Sequence, residues 1–200
     1  VLAWTAGDTE SQWQIAVQPK GTGIPTGSGV LINTNTYSPS LNHATQYEYY
    51  VRAYCDATHQ SNWVGPINFT TLCSTFTVPF YESFNDADVA TTHKFCWTVN
   101  NANTDNAQWT MQANNPQIAG NPFFGTPSYN DYLISPAINV VGTKELKFKY
   151  KAAFSPLYGA PRFGMEVLMS TTDTNPASFS VIMPFMEFTN TDYVEKALYI

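Results

Sequence analysis

The chain has 200 residues, of which 15% are aromatic and only 12% charged, and its formal net charge at pH 7 is −6. Nine lysines and arginines in total provide no basic cluster of the kind that nucleic acid requires, so nucleic acid is excluded as a partner. The sequence contains neither an apolar run of about 18 residues that could span a bilayer nor a signal-peptide pattern. We therefore expect no direct membrane insertion, and any export signal is expected outside this stretch.

The composition predicts an all-β protein. Short apolar and aromatic runs alternate with segments rich in Gly, Pro, Asn, Ser and Thr, and residues that favour helices are scarce. β-branched and aromatic residues suit half-buried strands, whereas the intervening residues favour turns.

The first third of the chain reads as a series of short strands. Alternating apolar residues predict strands at residues 1–5, 13–17 and 47–55, and the last alternation places Cys55 on the core face. The Gly- and Pro-rich stretch at 19–29 superficially matches a dinucleotide-binding loop. No helix follows it, so a turn-rich loop is the better interpretation.

Four landmarks in this region resemble the fibronectin type III module. Leu41 precedes Tyr47 by six residues, as at the tyrosine corner that opens strand F; Trp4 matches the core tryptophan of strand B, and residues 61–71 match strand G. The resemblance implies a β-sandwich module over residues 1–72 in which the first strand is missing. The chain is accordingly expected to be a piece of a longer polypeptide.

The second part of the chain also predicts only strands. "PFYESF" at 79–84, "DYLISP" at 131–136 and the strictly alternating "ELKFKYKA" at 145–152 are strand-like, and residues 163–169 place Met165 and Met169 on one face. With turn signals between them and no helical period, these segments predict a sandwich or jelly roll.

The order of "PFYESF", "CW", "TDNAQW", "NDYLISP", "LKFKYKA" and "EVLMSTT" resembles the cleaved-adhesin jelly roll, a relative of MAM domains. Such modules occur in the haemagglutinin/adhesin regions of gingipain-type proteins and in secreted surface proteins of Bacteroidota, often after a fibronectin type III module. The resemblance covers residues 73–200, and it implies closing strands that are missing here. Both modules are thus expected to be incomplete at the chain ends.

This resemblance implies a structural calcium ion held by hard oxygen ligands. Glu82 matches the ligand of the opening strand and Asp105 the ligand of the loop before a tryptophan, while the third acidic position lies beyond Ile200. Asp131 has two open interpretations. It is either a strand-entry residue that caps backbone N–H groups or faces water, or a metal ligand.

Two further predictions concern the second module. An extracellular setting favours a disulfide between Cys73 and Cys96, on either side of "PFYESF", whereas Cys55 and Cys73 would sit at opposite poles of neighbouring strands. Phe124 and Tyr129 belong to an aromatic, Pro- and Gly-rich loop. They either anchor that loop to the sandwich or contact a ligand by stacking on sugar rings.

The resemblance implies a non-catalytic adhesion segment of a large secreted cell-surface protein, exported by the type IX route. It would bind host, matrix or glycan targets, with the secretion machinery or other surface proteins as further partners. The sequence shows no G-x-S-x-G motif and no evident Ser/His/Asp or Cys/His arrangement for nucleophilic catalysis. The segment is therefore not expected to be an enzyme. The alternatives are an accessory module of a secreted protease or glycosidase and a purely structural spacer.

Overall fold

A computed structural model describes residues 1–88, 91–104, 107–112, 115–118, 130–152 and 164–200. The predicted all-β class is confirmed: strands dominate, and the described helical elements are single 3₁₀ turns at Lys94–Cys96 and Pro176–Ser178. None of the described residues belongs to a helix long and apolar enough to cross a membrane.

The chain forms two compact units. Residues 1–74 with 82–96 make the first unit, and residues 75–81 with 97–200 make the second. The sequence predicted a single boundary between residues 72 and 73, whereas the chain passes from one unit to the other at three points.

The described residues of the first unit form six strands. A four-stranded antiparallel sheet has the order β3-β2-β5-β6, and β1 pairs with β4. The bounds are β1 (Leu2–Ala3), β2 (Trp13–Pro19), β3 (Val30–Ile32), β4 (Thr36–Tyr37), β5 (Gln46–Ala53) and β6 (Val64–Thr70).

Alternation of side chains across β2 and β5 creates the core of the first unit. Trp13 and Ile15 point to the same face as Tyr49 and Val51, and all four are buried. Trp4 packs edge-on against Trp13 with ring centroids 6.1 Å apart. The sequence therefore identified the core face of both strands correctly.

Tyr47 fixes the entry to β5. Its hydroxyl oxygen accepts a hydrogen bond from the Asn42 backbone N–H at 3.3 Å, and its ring stacks on Phe69 with centroids 5.7 Å apart. The tyrosine thus ties the loop before β5 to the strand, as a tyrosine corner does.

The second unit contains ten described strands that pair two by two. β7 pairs with β12 in parallel, and the antiparallel pairs are β8 with β11, β9 with β10, β13 with β16 and β14 with β15. The bounds are β7 (Phe76–Thr77), β8 (Thr98–Asn101), β9 (Trp109–Gln112), β10 (Asn115–Ile118), β11 (Asp131–Ile134), β12 (Ile138–Asn139), β13 (Glu145–Tyr150), β14 (Gly164–Met169), β15 (Ser180–Glu187) and β16 (Val194–Tyr199).

In this unit, the predicted faces of the strands agree with the structure in β13, which pairs regularly, but not throughout β14, which pairs irregularly. β13 shows the expected alternation, with Leu146 half-buried and its neighbours exposed. β14 carries register shifts around Val167, and Met169 is 40% exposed instead of sharing the inner face with Met165. Both shifts place an extra residue in β15, so the pairing of β14 changes before Met169 and the alternation does not continue along one regular pairing to that residue.

"PFYESF" at 79–84 is not a strand, because the local strand is β7, only two residues long, and ends at Thr77. Cys55 is also placed differently from its prediction. β5 ends at Ala53, so the alternation no longer applies at Cys55, which is an exposed free thiol.

Candidate functional site

Asp131 is the first residue of β11, in agreement with its prediction as a strand-entry residue. The antiparallel register places it opposite Asn101, the last residue of β8. Both carboxylate oxygens of Asp131 are shielded from solvent, so the alternative in which the carboxylate faces water does not hold. Burial of a carboxylate requires compensating polar groups or cations.

Two buried amide oxygens belong to residues at or just after the same end of β8. The Oδ1 atoms of Asn101 and Asn103 are both shielded from solvent. Asn101 Nδ2 donates to the Ala107 carbonyl oxygen at 3.2 Å, and the Ala102 N–H donates to the Asn130 carbonyl oxygen at 3.1 Å. These bonds fold the chain after β8 back toward the start of β11.

Trp109 closes this corner from the neighbouring strand. Its Nε1–H donates to the Asp131 carbonyl oxygen at 3.2 Å, so the first residue of β9 is joined to the first residue of β11. Ala107, two residues earlier, is buried. The indole thus ties the start of β9 to the residue whose carboxylate oxygens are shielded from solvent.

The side-chain oxygens at this corner are of the kind that calcium prefers as ligands. Carboxylate and amide oxygens are hard ligands, and Asn101 and Asn103 alternate along the chain with Asp105, as ligands do in a calcium-binding loop. Asp105 itself lies outside the described residues. Within the described ranges, no group of three or more His, Cys, Asp or Glu residues could hold a metal. Neither asparagine was named as a candidate ligand from the sequence.

Glu82 belongs to the first unit, whereas Asp131 belongs to the second. Its two carboxylate oxygens accept the backbone N–H groups of Phe84 at 2.7 Å and His93 at 2.8 Å. Phe84 has a positive φ of 54°, so the chain turns sharply after Glu82. The carboxylate therefore fastens the two ends of the loop at 83–93.

A disulfide between Cys73 and Cys96, the pair expected from the sequence, lies in the same unit with Cα atoms 5.8 Å apart. Lys94 forms an ion pair with Asp86 within the same loop region. The segment after Glu82 is thus held by a carboxylate, an ion pair and a covalent bond.

The tip between β5 and β6 carries Asp56, Thr58 and His59, which match the residue types of a hydrolytic triad. Thr58 Oγ1 and both Asp56 oxygens contact the same ring nitrogen of His59, Nδ1, at 2.8 to 3.1 Å. A triad needs the acid on one ring nitrogen and the nucleophile on the other. This cluster instead stabilises a turn, and the hydroxyl of Thr58 is the main cause that lowers the Asp56 pKa to about 2.

Glu48 is a buried carboxylate that the sequence did not identify. It accepts a hydrogen bond from Gln18 Nε2 at 3.0 Å, and the N–H groups of Gly21 and Gly23 donate to it at 2.9 and 2.8 Å. The Gln18 bond is the largest of the causes that lower the Glu48 pKa. Both glycines have φ near +90°, which other residues adopt rarely. Glu48 thereby fixes the turn-rich loop after β2.

Phe124 and Tyr129, the predicted ligand-contact residues, lie outside the described residues. No protein-family model matches the chain, and no significant match was found among curated proteins or solved structures.

Proposed function

We propose that this chain is a non-catalytic binding segment of a large secreted cell-surface protein, which adheres to a protein or glycan target. The supporting observation is the strand order β3-β2-β5-β6 with β1-β4, together with the hydrogen bond of Tyr47 to Asn42. This arrangement agrees with the fibronectin type III resemblance of residues 1–72. The Cys73–Cys96 disulfide agrees with an oxidising, extracellular setting.

The proposal includes a structural calcium ion in the second unit. Asp131, Asn101 and Asn103 supply buried oxygens at one end of the β8–β11 pair, and Asp105 lies next to them in sequence. A bound calcium ion would neutralise the Asp131 carboxylate and hold the β8–β9 connection in place. The hydrogen bond from Trp109 to the Asp131 carbonyl oxygen holds the ends of β9 and β11 together at this place.

Calorimetry of the full chain in calcium and in EDTA tests the metal. A ligand that binds only the folded state at about 100 times its dissociation constant adds about 2.7 kcal/mol to the free energy of unfolding. We expect calcium to raise the melting temperature, and Asp131→Asn to abolish the increase. Asp192→Asn, at an exposed acidic position of the same unit, is the control and should leave it unchanged. Equal melting temperatures in calcium and EDTA would refute the calcium proposal.

Binding itself is tested on arrays of matrix proteins and glycans. We expect saturable retention of the full chain on a defined subset of targets. A chain that is folded by circular dichroism but retained on no target contradicts the adhesion proposal, and it favours a structural spacer.

A further inference from the structure

The ribbon of β13 and β16 has one face that is exposed along its whole length. The antiparallel register places Glu145 opposite Tyr199 and Lys149 opposite Glu195. We call this side of the ribbon the outer face, and we include in it Lys151, which follows β13, and Tyr193, which precedes β16. Its eight residues are all exposed: Glu145, Lys147, Lys149, Lys151, Tyr193, Glu195, Ala197 and Tyr199.

Positive charge is concentrated on this ribbon in an otherwise acidic protein. Four of the nine basic residues lie within residues 144–151, although the net charge of the chain is −6. Lys147, Lys149 and Lys151 are alternate residues, so they point to the same side at intervals of about 7 Å. These lysines therefore attract a ligand with repeated negative charges, although the chain as a whole is acidic.

Two carboxylates on the same face restrict the kind of anion that fits. Lys147 Nζ lies 3.0 Å from Glu145 Oε2, and both side chains are partly exposed. Such a pair contributes little, so the lysine can exchange its partner for a ligand anion. Glu145 and Glu195 would repel a densely charged phosphate polymer, yet carboxylates readily accept hydrogen bonds from hydroxyl groups. The face therefore suits a polyhydroxylated ligand with widely spaced anionic groups.

Tyrosine rings lie at the two ends of the outer face. Tyr199 is 78% exposed and Tyr193 50% exposed, and the Lys151 ammonium lies 4.8 Å from the centre of the Tyr193 ring. The two tyrosines are six positions apart in the sequence, which corresponds to about 20 Å along a strand. Ala197 lies between them in the sequence, and its small side chain leaves space in the middle of the outer face. Exposed aromatic rings of this kind provide apolar surfaces with a polar edge, on which sugar rings can pack.

We propose that the outer face binds an acidic polysaccharide. The ligand lies along the ribbon, its carboxylate or sulfate groups contact the three lysines, its hydroxyls reach the two carboxylates, and its sugar rings pack on the tyrosines. This inference rests on the proposed binding function and names its surface and its ligand class.

Biolayer interferometry with the full 200-residue chain tests the proposal. The probes are polygalacturonate for carboxylates, chondroitin sulfate for sulfates, dextran as a neutral sugar polymer and poly-L-glutamate as an acidic polymer without sugars. We expect at least one acidic polysaccharide to bind, more weakly at higher salt, and dextran and polyglutamate to bind at least about tenfold more weakly, which corresponds to about 1.4 kcal/mol.

Variants locate the surface. Lys149→Gln with Lys151→Gln should weaken binding about tenfold, and Tyr199→Ala should weaken it to a similar degree. Lys20→Gln is the matched control, because it removes an exposed lysine of the first unit, and it should bind as the unaltered chain does. All four positions are exposed, so circular dichroism and melting temperature should stay unchanged.

The outcomes separate this inference from the proposed function. Binding to array targets that the ribbon variants do not change supports an adhesion segment and overturns the assignment of the outer face. Polyglutamate binding as tight as that of the polysaccharides overturns the ligand class. Absence of binding to every probe and every array target contradicts both proposals.

Discussion

Replacing Cys73 and Cys96 with serine tests whether the disulfide stabilises the first unit. The bond joins residues 23 positions apart in the sequence. A crosslink reduces the conformational entropy of the unfolded chain, and a loop of this size corresponds to about 3 kcal/mol. Because a typical domain is stable by only about 5 to 15 kcal/mol, the double variant should lose a large part of the stability of this unit.

Urea unfolding under non-reducing conditions, monitored by far-ultraviolet circular dichroism, measures this loss. Cys55→Ser is the matched control, since Cys55 is free and exposed, and its effect should stay within about 0.5 kcal/mol. A double variant that loses less than about 1 kcal/mol would show that the entropy of the closed loop is not what the bond contributes. An equal loss in the control would refute the assignment of the pair.

Removal of single polar contacts should lower the free energy of unfolding by less than removal of the disulfide does. Glu82→Gln weakens the hydrogen bonds that Glu82 accepts from two backbone N–H groups. The free energy of unfolding in urea should fall by about 1 to 2 kcal/mol. Faster amide exchange in the loop at 83–93 would confirm that this loop is the cause. Tyr47→Phe removes a hydroxyl that accepts one backbone N–H, and it should cost about 1 kcal/mol, whereas an unchanged midpoint would contradict the role of the corner. Thr58→Val removes the main cause of the low Asp56 pKa of about 2, so the midpoint in a carboxyl NMR titration should rise toward 3.8. Because folding lowers this pKa, its stabilising effect is present above pH 3.8 and disappears as the pH falls toward 2.

Alternation in the sequence was sufficient for strands that pair regularly with at least one neighbour, as β2 does with β5 and β13 with β16. β2, β5 and β13 have the predicted faces, because each is long enough for a period of two to be visible. β14 was mispredicted at Met169, since the register shifts in its pairing come from extra residues in the partner strand β15. Cys55 was mispredicted because the sequence pattern continues beyond the point where β5 ends.

Long-range register explains what sequence reasoning missed around Asp131. The residue was recognised as the start of a strand from local signals, namely the polar pair before an apolar run. That Asn101 lies opposite it depends on the pairing of β8 with β11, which are about thirty residues apart in the chain. Asn101 and Asn103 stand in an asparagine-rich stretch that reads as a turn, and no local signal distinguishes a turn asparagine from a ligand.

Acidic residues that stabilise loops in this chain must be distinguished from acidic residues that could bind a metal ion. Glu48 and Glu82 each accept two backbone N–H groups, and in both cases the carboxylate fixes an irregular segment that includes positive φ angles. A calcium ion at Glu82 would therefore share both oxygens with N–H donors. At the Asp131 corner, buried oxygens of Asn101 and Asn103 accompany the carboxylate. For this reason Asp131 is the stronger choice for the calcium test, and substitution of Glu82 is expected to affect the loop even when calcium is absent.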